Sequence, residues 1–258
     1  MPDDRSSAGS SDSTSAGDHV LAVAAAWAAA DVLMALRAER PARDRERLAS
    51  DGDRRAHETI TRLLGHERPG DPVLSEEAAD HPDLDRHGRL WIVDPLDGTR
   101  EFSEGRADFA VHVALVVAGV PVVGAVALPA EDVVLSTADP VPLATRRDGP
   151  PRLVVSRTRP PAVAVRLAHE LGGELVPMGS AGAKVMAVVR GDADIYVHAG
   201  GQYQWDSAAP VAVALAAGAH ATRLDGSPLR YDDPDPWLPD LLVCRPELAA
   251  TVLVALGR

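Results

Sequence analysis

The chain has 258 residues, enough for one large domain or two halves sharing a core, and carries a formal net charge of −12. That balance argues against a nucleic-acid partner, whose phosphates would be repelled, and an acidic protein acting on an anionic substrate needs a cation between the two. The single cysteine, Cys244, excludes an internal disulfide and predicts a reducing, cytoplasmic compartment.

Residues 1–17, rich in Ser, Gly and Asp, read as a disordered tail; with no basic run ahead of an apolar core they are not a signal peptide. Val20 to Ala30 is apolar but too short to span a bilayer, and Asp31 interrupts it, so no membrane partner is expected. Val20, Val23, Trp27, Ala30 and Met34 fall at helical spacing and predict a first helix packed by that stripe. Leu48 to Leu64 carries Asp51 and Asp53 and then a helical pattern through Ile60, Leu63 and Leu64; taken alone, either aspartate suits a helix cap. His57 reads as a solvated helix-face histidine, because no soft ligands gather near it. Val73 and Leu74 predict a short strand ending in Ser75-Glu76-Glu77, where glutamates become candidate ligands. Asp80 to Arg89 reads as a surface loop.

The stretch that follows, Leu90 to Phe102, carries the chemistry. Leu90 to Val93 is apolar without alternation, the pattern of a strand buried on both faces. It ends in Asp94-Pro95-Leu96-Asp97-Gly98-Thr99, which places two carboxylates three residues apart around a proline. Gly98 permits close backbone approach, and amides entering a helix attract anions. The haloacid-dehalogenase phosphatases also end a buried strand in DGT, but their nucleophilic Asp stands two residues before the second one; here that position is Pro95, which excludes that chemistry.

Beyond the motif, Phe109 to Val117 and Val122 to Leu128 predict antiparallel strands around a turn at Gly119 to Pro121, with Val133 to Leu135 adding another. His112 reads as a structural residue inside that sheet. Residues 139–151, rich in proline and charge, mark a linker between an N-terminal half (18–138) with the metal-binding motifs and a C-terminal half (152–258) that completes the active site. The second half alternates: strand Leu153 to Val155, helix Ala162 to Leu171, strand Leu175 to Met178, helix Ala183 to Val189, strand Ile195 to Val197. Gly200 and Gly201 then loosen the chain before Trp205-Asp206 and a small-residue helix, Ser207 to Ala217. Ala219 to Leu224, Leu241 to Val243 and a helix from Glu247 finish it. Of 26 basic residues only Lys184 is lysine, which marks a position where a compact ammonium is needed in place of arginine's planar fork. It follows the small-residue turn Gly179 to Ala183, where an anion could settle against free amides.

The order of an early Asp, then Glu-Glu, then DPLDGT, then Trp-Asp opening a helix resembles the inositol monophosphatase superfamily of magnesium-dependent, lithium-sensitive phosphomonoesterases, over nearly the whole chain after the tail. Arg100-Glu101-Phe102 after DGT is similar to the bisphosphate nucleotidase (CysQ) branch. So are Ser156-Arg157, the Gly179 to Lys184 turn and the late Asp225-Gly226, Pro228-Leu229 and Tyr231. Where that branch reads Ser-basic-Ser-His, this chain has Ser156, Arg157, Thr158 and Arg159.

The resemblance implies an α+β fold, a layered α-β-α-β-α sandwich, and a reaction in which water attacks a phosphomonoester with two to three Mg²⁺ ions bound. It assigns Glu76, Asp94 and the Leu96 carbonyl to one metal, and Asp94, Asp97 and Asp206 to another. Thr99, paired with Asp53, would activate the water, and the Gly98 and Thr99 amides would bind phosphate. Ser156, Arg157, Ser180 and Lys184 would contact a nucleotide. The expected substrate is 3'-phosphoadenosine 5'-phosphate, or its sulfated form, within sulfate assimilation. Inositol phosphates and fructose 1,6-bisphosphate are the alternatives, and a non-catalytic metal-binding regulator is a further one. The expected assembly is a monomer or homodimer.

Overall fold

A computed structural model describes residues 16–39, 45–78 and 88–257. Five layers stack in the order helix, sheet, helix, sheet, helix. Helices α1 (Ala16–Glu39) and α2 (Arg45–Glu67) cover the outer face of a first sheet of β1 (Val73–Ser75), β2 (Arg89–Asp97), β3 (Ala110–Val117), β4 (Val120–Leu128) and β5 (Val133–Ser136). A five-residue helix, α3 (Thr99–Ser103), follows β2. The second sheet is ordered β7-β6-β8-β10-β9: β6 (Arg152–Ser156), β7 (Glu174–Met178), β8 (Ile195–Tyr203), β9 (His220–Thr222) and β10 (Trp237–Cys244). Between the sheets lie α5 (Ala181–Val189) and α6 (Gln204–Ala216), while α4 (Ala162–Leu171) and α7 (Pro246–Ala255) cover the far face of the second sheet. This is the layered sandwich expected from the sequence.

Both faces of the first sheet are buried. On β2, Trp91 and Val93 point into the α1/α2 core, and Leu90 and Ile92 into the central core shared with α5 and α6. The unalternating apolar run reads as it should for such a strand. The hairpin joining β3 to β4 turns through Ala118 and Gly119, both at positive φ, and β1 runs parallel to β2 while the rest of that sheet is antiparallel. Where β4 meets α6, Gly124 leaves room for Ala209 and Ala212, so small residues let the sheet and the central helix touch backbone to backbone.

Several local expectations are corrected. Helix α1 begins at Ala16, inside the stretch assigned to the tail; residues 1–15 and the loop 79–87 lie outside the described residues. The buried face of α1 is Leu21, Ala22, Ala25, Ala26, Ala29, Ala30, Leu33 and Leu36, while Val20 is 67% exposed and Met34 37%. In a helix this rich in alanine the largest side chains do not identify the packed face; close packing against β3 and β4 selects the small ones. By length and composition α1 could cross a membrane, but this face is spent on the first sheet. Helix α2 starts at Arg45, so Asp51 and Asp53 stand in its interior rather than at a cap. Gly200 and Gly201 are part of β8, with φ of 110° and 90°, beside an irregularity in its ladder with β10. Helix α6 starts at Gln204, which puts Pro210 in its second turn, where it forgoes the hydrogen bond to the Asp206 carbonyl.

Candidate active site

Strand β2 delivers Asp94, Leu96 and Asp97 to the interior, all less than 9% exposed, at a break in its ladder with β3. The Asp94 Oδ1 accepts the Leu96 amide at 3.1 Å, the tight turn that the proline imposes. Gly98 follows at φ 91°, a conformation open to glycine, with Phe109 so near that a Cβ would lie 3.2 Å from its backbone. Asp206 arrives from the other half of the chain, at the third position of α6, where its Oδ2 accepts the Tyr203 amide at 2.6 Å. One carboxylate oxygen from each of Asp94, Asp97 and Asp206 lies within 4.8 Å of the others, a cluster that could hold a metal ion. Sequence positions more than a hundred residues apart are thus brought together.

The electrostatics are those of an acidic cleft whose carboxylates disfavour one another's charge. Burial, then Asp97, Glu76 and Asp206, push the Asp94 carboxyl well above the usual range. Asp206 is pushed up to about 6 by burial and then by Asp97. Glu76, at the open edge of the cleft after β1, is pushed up to about 7 by desolvation, then by Asp206, Asp97 and Glu77. Asp53, 8% exposed, is pushed up to about 8 by burial and by Glu77 and Glu76. Asp97 is the exception: burial raises it, but His112, Ser180 and Lys184 outweigh burial and hold it well below its ordinary value.

The Thr99 hydroxyl donates to the Leu96 carbonyl, named above as a ligand, at 3.1 Å. The turn at 179–184 differs from expectation. Three of its amides are already engaged: Gly179 N donates to Asp108, Gly182 N to Asp97 Oδ2 at 2.7 Å, and Ala183 N to Ser180 Oγ. A protein carboxylate has taken the place of the anion at this helix start. Ser180 adopts φ 47°, uncommon outside glycine, and donates its hydroxyl to Asp97 Oδ2 at 2.5 Å, so this side chain serves Asp97. Lys184 is buried, its Nζ on the Gly179 carbonyl at 3.2 Å and 5.3 Å from the centre of the Tyr196 ring.

Arg157 is held by Glu101 and Glu104, each at 2.9 Å from its Nη2, while its Nε is buried without a partner. Ser156 lines a cavity of about 290 Å³ with Arg159, Tyr196, His198, Gly200 and Gly201, and His198 Nε2 meets the Gly201 carbonyl at 2.8 Å. His57, expected to be solvated, is half-buried against Ser75 Oγ at 2.9 Å.

His112, read from the sequence as a structural residue of the sheet, stands against the cluster. It is fully buried, with Nδ1 at 3.0 Å from the Trp205 carbonyl and Nε2 at 3.2 Å from Asp97 Oδ2. The second contact is short but poorly aligned, and Nε2 has no other partner. The only signal in the sequence was a polar residue at an inward position of a strand otherwise filled by Ala110, Ala114 and Val116 on that face.

Residues 18–255 match the description "Inositol monophosphatase family". The chain is 54% identical over 221 residues to the 3'-phosphoadenosine 5'-phosphate phosphatase of Mycobacterium bovis, covering 81% of this chain and 82% of that one. It is 34% identical over 194 residues to the 3'(2'),5'-bisphosphate nucleotidase CysQ of Escherichia coli, covering 71% and 79% respectively. The crystal structure of CysQ from Bacteroides thetaiotaomicron superposes with a TM-score of 0.74 at 29% identity, over 89% of this chain and 97% of that one.

Proposed function

This chain belongs to the inositol monophosphatase family, and from that membership we infer that it is a 3'(2'),5'-bisphosphate nucleotidase, which hydrolyses 3'-phosphoadenosine 5'-phosphate to AMP and phosphate. The observation that carries the reading is the convergence of Asp94, Asp97 and Asp206 at the end of the DPLDGT strand, in a chain so similar to a phosphatase of that substrate.

The donor set tests what the site can hold. The clustered groups are carboxylate oxygens, with the Leu96 carbonyl named beside them, and the raised carboxyls need positive charge to ionise together. Such a set suits Mg²⁺. Glu76, Asp94 and the Leu96 carbonyl would hold one ion, and Asp94, Asp97 and Asp206 a second. Bound there, Mg²⁺ supplies an activated water and neutralises charge developing on the phosphate. The chain's own residues do the rest. Amides of Gly98 and Thr99 cradle the phosphate at the entry to α3. Thr99, paired with Asp53, would orient the attacking water and take its proton. Ser156, on the wall of the neighbouring cavity, and Arg157 and Lys184 would face the nucleoside part.

The reading places the protein in the cytoplasm, in the turnover of sulfate-assimilation nucleotides. A panel tests it: phosphate release from 3'-phosphoadenosine 5'-phosphate, its sulfated form, inositol 1-phosphate and fructose 1,6-bisphosphate, with Mg²⁺ and with a chelator. The bisphosphate nucleotide should show the highest kcat/KM by at least about tenfold and all release should require Mg²⁺, a difference of about 1.4 kcal/mol in transition-state binding. A preference for either sugar phosphate refutes the substrate; release undiminished in chelator refutes the chemistry.

A further inference from the structure

The three clustered carboxylates share a construction. Asp94 spends Oδ1 on the Leu96 amide, and Asp206 spends Oδ2 on the Tyr203 amide. Asp97 gathers Ser180 Oγ, Gly182 N and the His112 ring on Oδ2 alone. Each carboxylate therefore has one oxygen held by the protein, and that grip sets the direction of the whole group. For Asp94 and Asp206 the grip is a backbone amide within three residues. For Asp97 it comes from two distant segments, the start of α5 and His112 on β3.

Of those three groups, His112 does something the others do not. Its Nε2 meets Asp97 while its Nδ1 meets the carbonyl of Trp205, the residue immediately before Asp206. One rigid, fully buried ring therefore stands between the strand that carries Asp97 and the helix start that carries Asp206, and it stands opposite Asp94 in the β2–β3 ladder. Space for the ring has been cut to measure: at Gly182 an added Cβ would lie 2.0 Å from Nε2. Groups that hold a ligating carboxylate from behind set its direction and basicity.

We propose that His112 is a positioning residue of the metal site, a spacer whose two ring nitrogens set the separation and orientation of Asp97 and Asp206. The proposal rests on the reading of this cluster as the divalent-metal site. With the ring absent, β2 and the start of α6 keep their places in the sandwich but lose the contact that registers them to each other.

Binding of Mn²⁺, followed by electron paramagnetic resonance on the otherwise metal-free protein, tests this without reference to turnover. His112→Asn retains one ring contact at most, and His112→Gln likewise, so each should weaken Mn²⁺ affinity 10- to 100-fold. The metal-free thermal midpoints should stay within a few degrees of wild type, and substrate KM at saturating metal should change less than the metal affinity. Gly182→Ala, which displaces the ring without removing it, should weaken Mn²⁺ in the same way and covers the case in which neither His112 variant folds. Wild-type Mn²⁺ affinity in any folded variant of the three overturns the proposal, as does a loss of affinity that only tracks a fall in thermal midpoint. Wild-type protein that binds no Mn²⁺ overturns the metal-site reading itself, and with it the proposal.

Discussion

Asp94→Asn separates what the site contributes to catalysis from what it costs the fold. The substitution keeps the shape and the acceptor for the Leu96 amide but removes the charge at the centre of the cluster. Unit charges 4.8 Å apart, the outer limit for the three ligand atoms, repel by about 3.5 kcal/mol at an effective dielectric near 20. Protonation already relieves much of this in the metal-free protein, since burial and its neighbours hold Asp94 well above its ordinary value. A net gain of about 1–2 kcal/mol remains, which for a domain of this size is a rise of roughly 2–8 °C in the metal-free thermal midpoint. The same change should cut kcat by about a thousandfold or more, because metal catalysis supplies several kcal/mol of the barrier reduction. The assay pairs calorimetry in chelator and in Mg²⁺ with steady-state phosphate release. Wild type should gain stability from Mg²⁺ and the variant should not. A variant that is less stable without metal, or that keeps more than a tenth of the wild-type rate, refutes the reasoning.

Thr99→Ala, which removes the hydroxyl on the Leu96 carbonyl, should lower kcat by about 10²–10⁴-fold with Mn²⁺ binding intact; a change confined to KM would make Thr99 a binding residue instead. The metal-free protein should lose stability as pH rises. Asp206, Glu76 and Asp53 titrate near 6, 7 and 8 in the folded state, above their unfolded values near 4. Over that window the folded state holds more protons than the unfolded one, so its stability is greatest at the acid end and declines toward about pH 8. Asp97, held low, contributes with the opposite sign only below about pH 4. Thermal midpoints in chelator should therefore fall from about pH 5.5 to about pH 8.5, and saturating Mg²⁺ should flatten the decline; a metal-free midpoint that climbs over this range would contradict the assignment of the raised carboxyls. Gly124→Ala would place a methyl 2.7 Å from both the Ala209 carbonyl and the Ala212 Cβ, where β4 meets α6. It should destabilise by about 1–3 kcal/mol and leave kcat of the folded protein within about twofold, as read by denaturant titration and phosphate release.

What is local could be read from the residues alone. DPLDGT after an apolar run specifies a buried strand, a tight turn and a helix start, because proline, glycine and the lack of alternation act within a few residues. The alternation of strands and helices after residue 152 was legible for the same reason, with α4 placed at Ala162–Leu171 as the periodicity required. The packed face of α1 was not legible, since a run of alanines has no dominant apolar side and the sheet beneath chose one. Nor was the state of the 179–184 turn. Its amides look open to an anion in the sequence, and in the fold one of them, Gly182 N, is taken by Asp97, 85 residues away. His112 shows the limit most clearly. An imidazole in a strand acquires meaning only from groups that converge on it, and here those are a carboxylate from β2, a carbonyl from α6 and a glycine from α5. Sequence spacing encodes the geometry of one element at a time; which elements face one another is decided by how the layers pack.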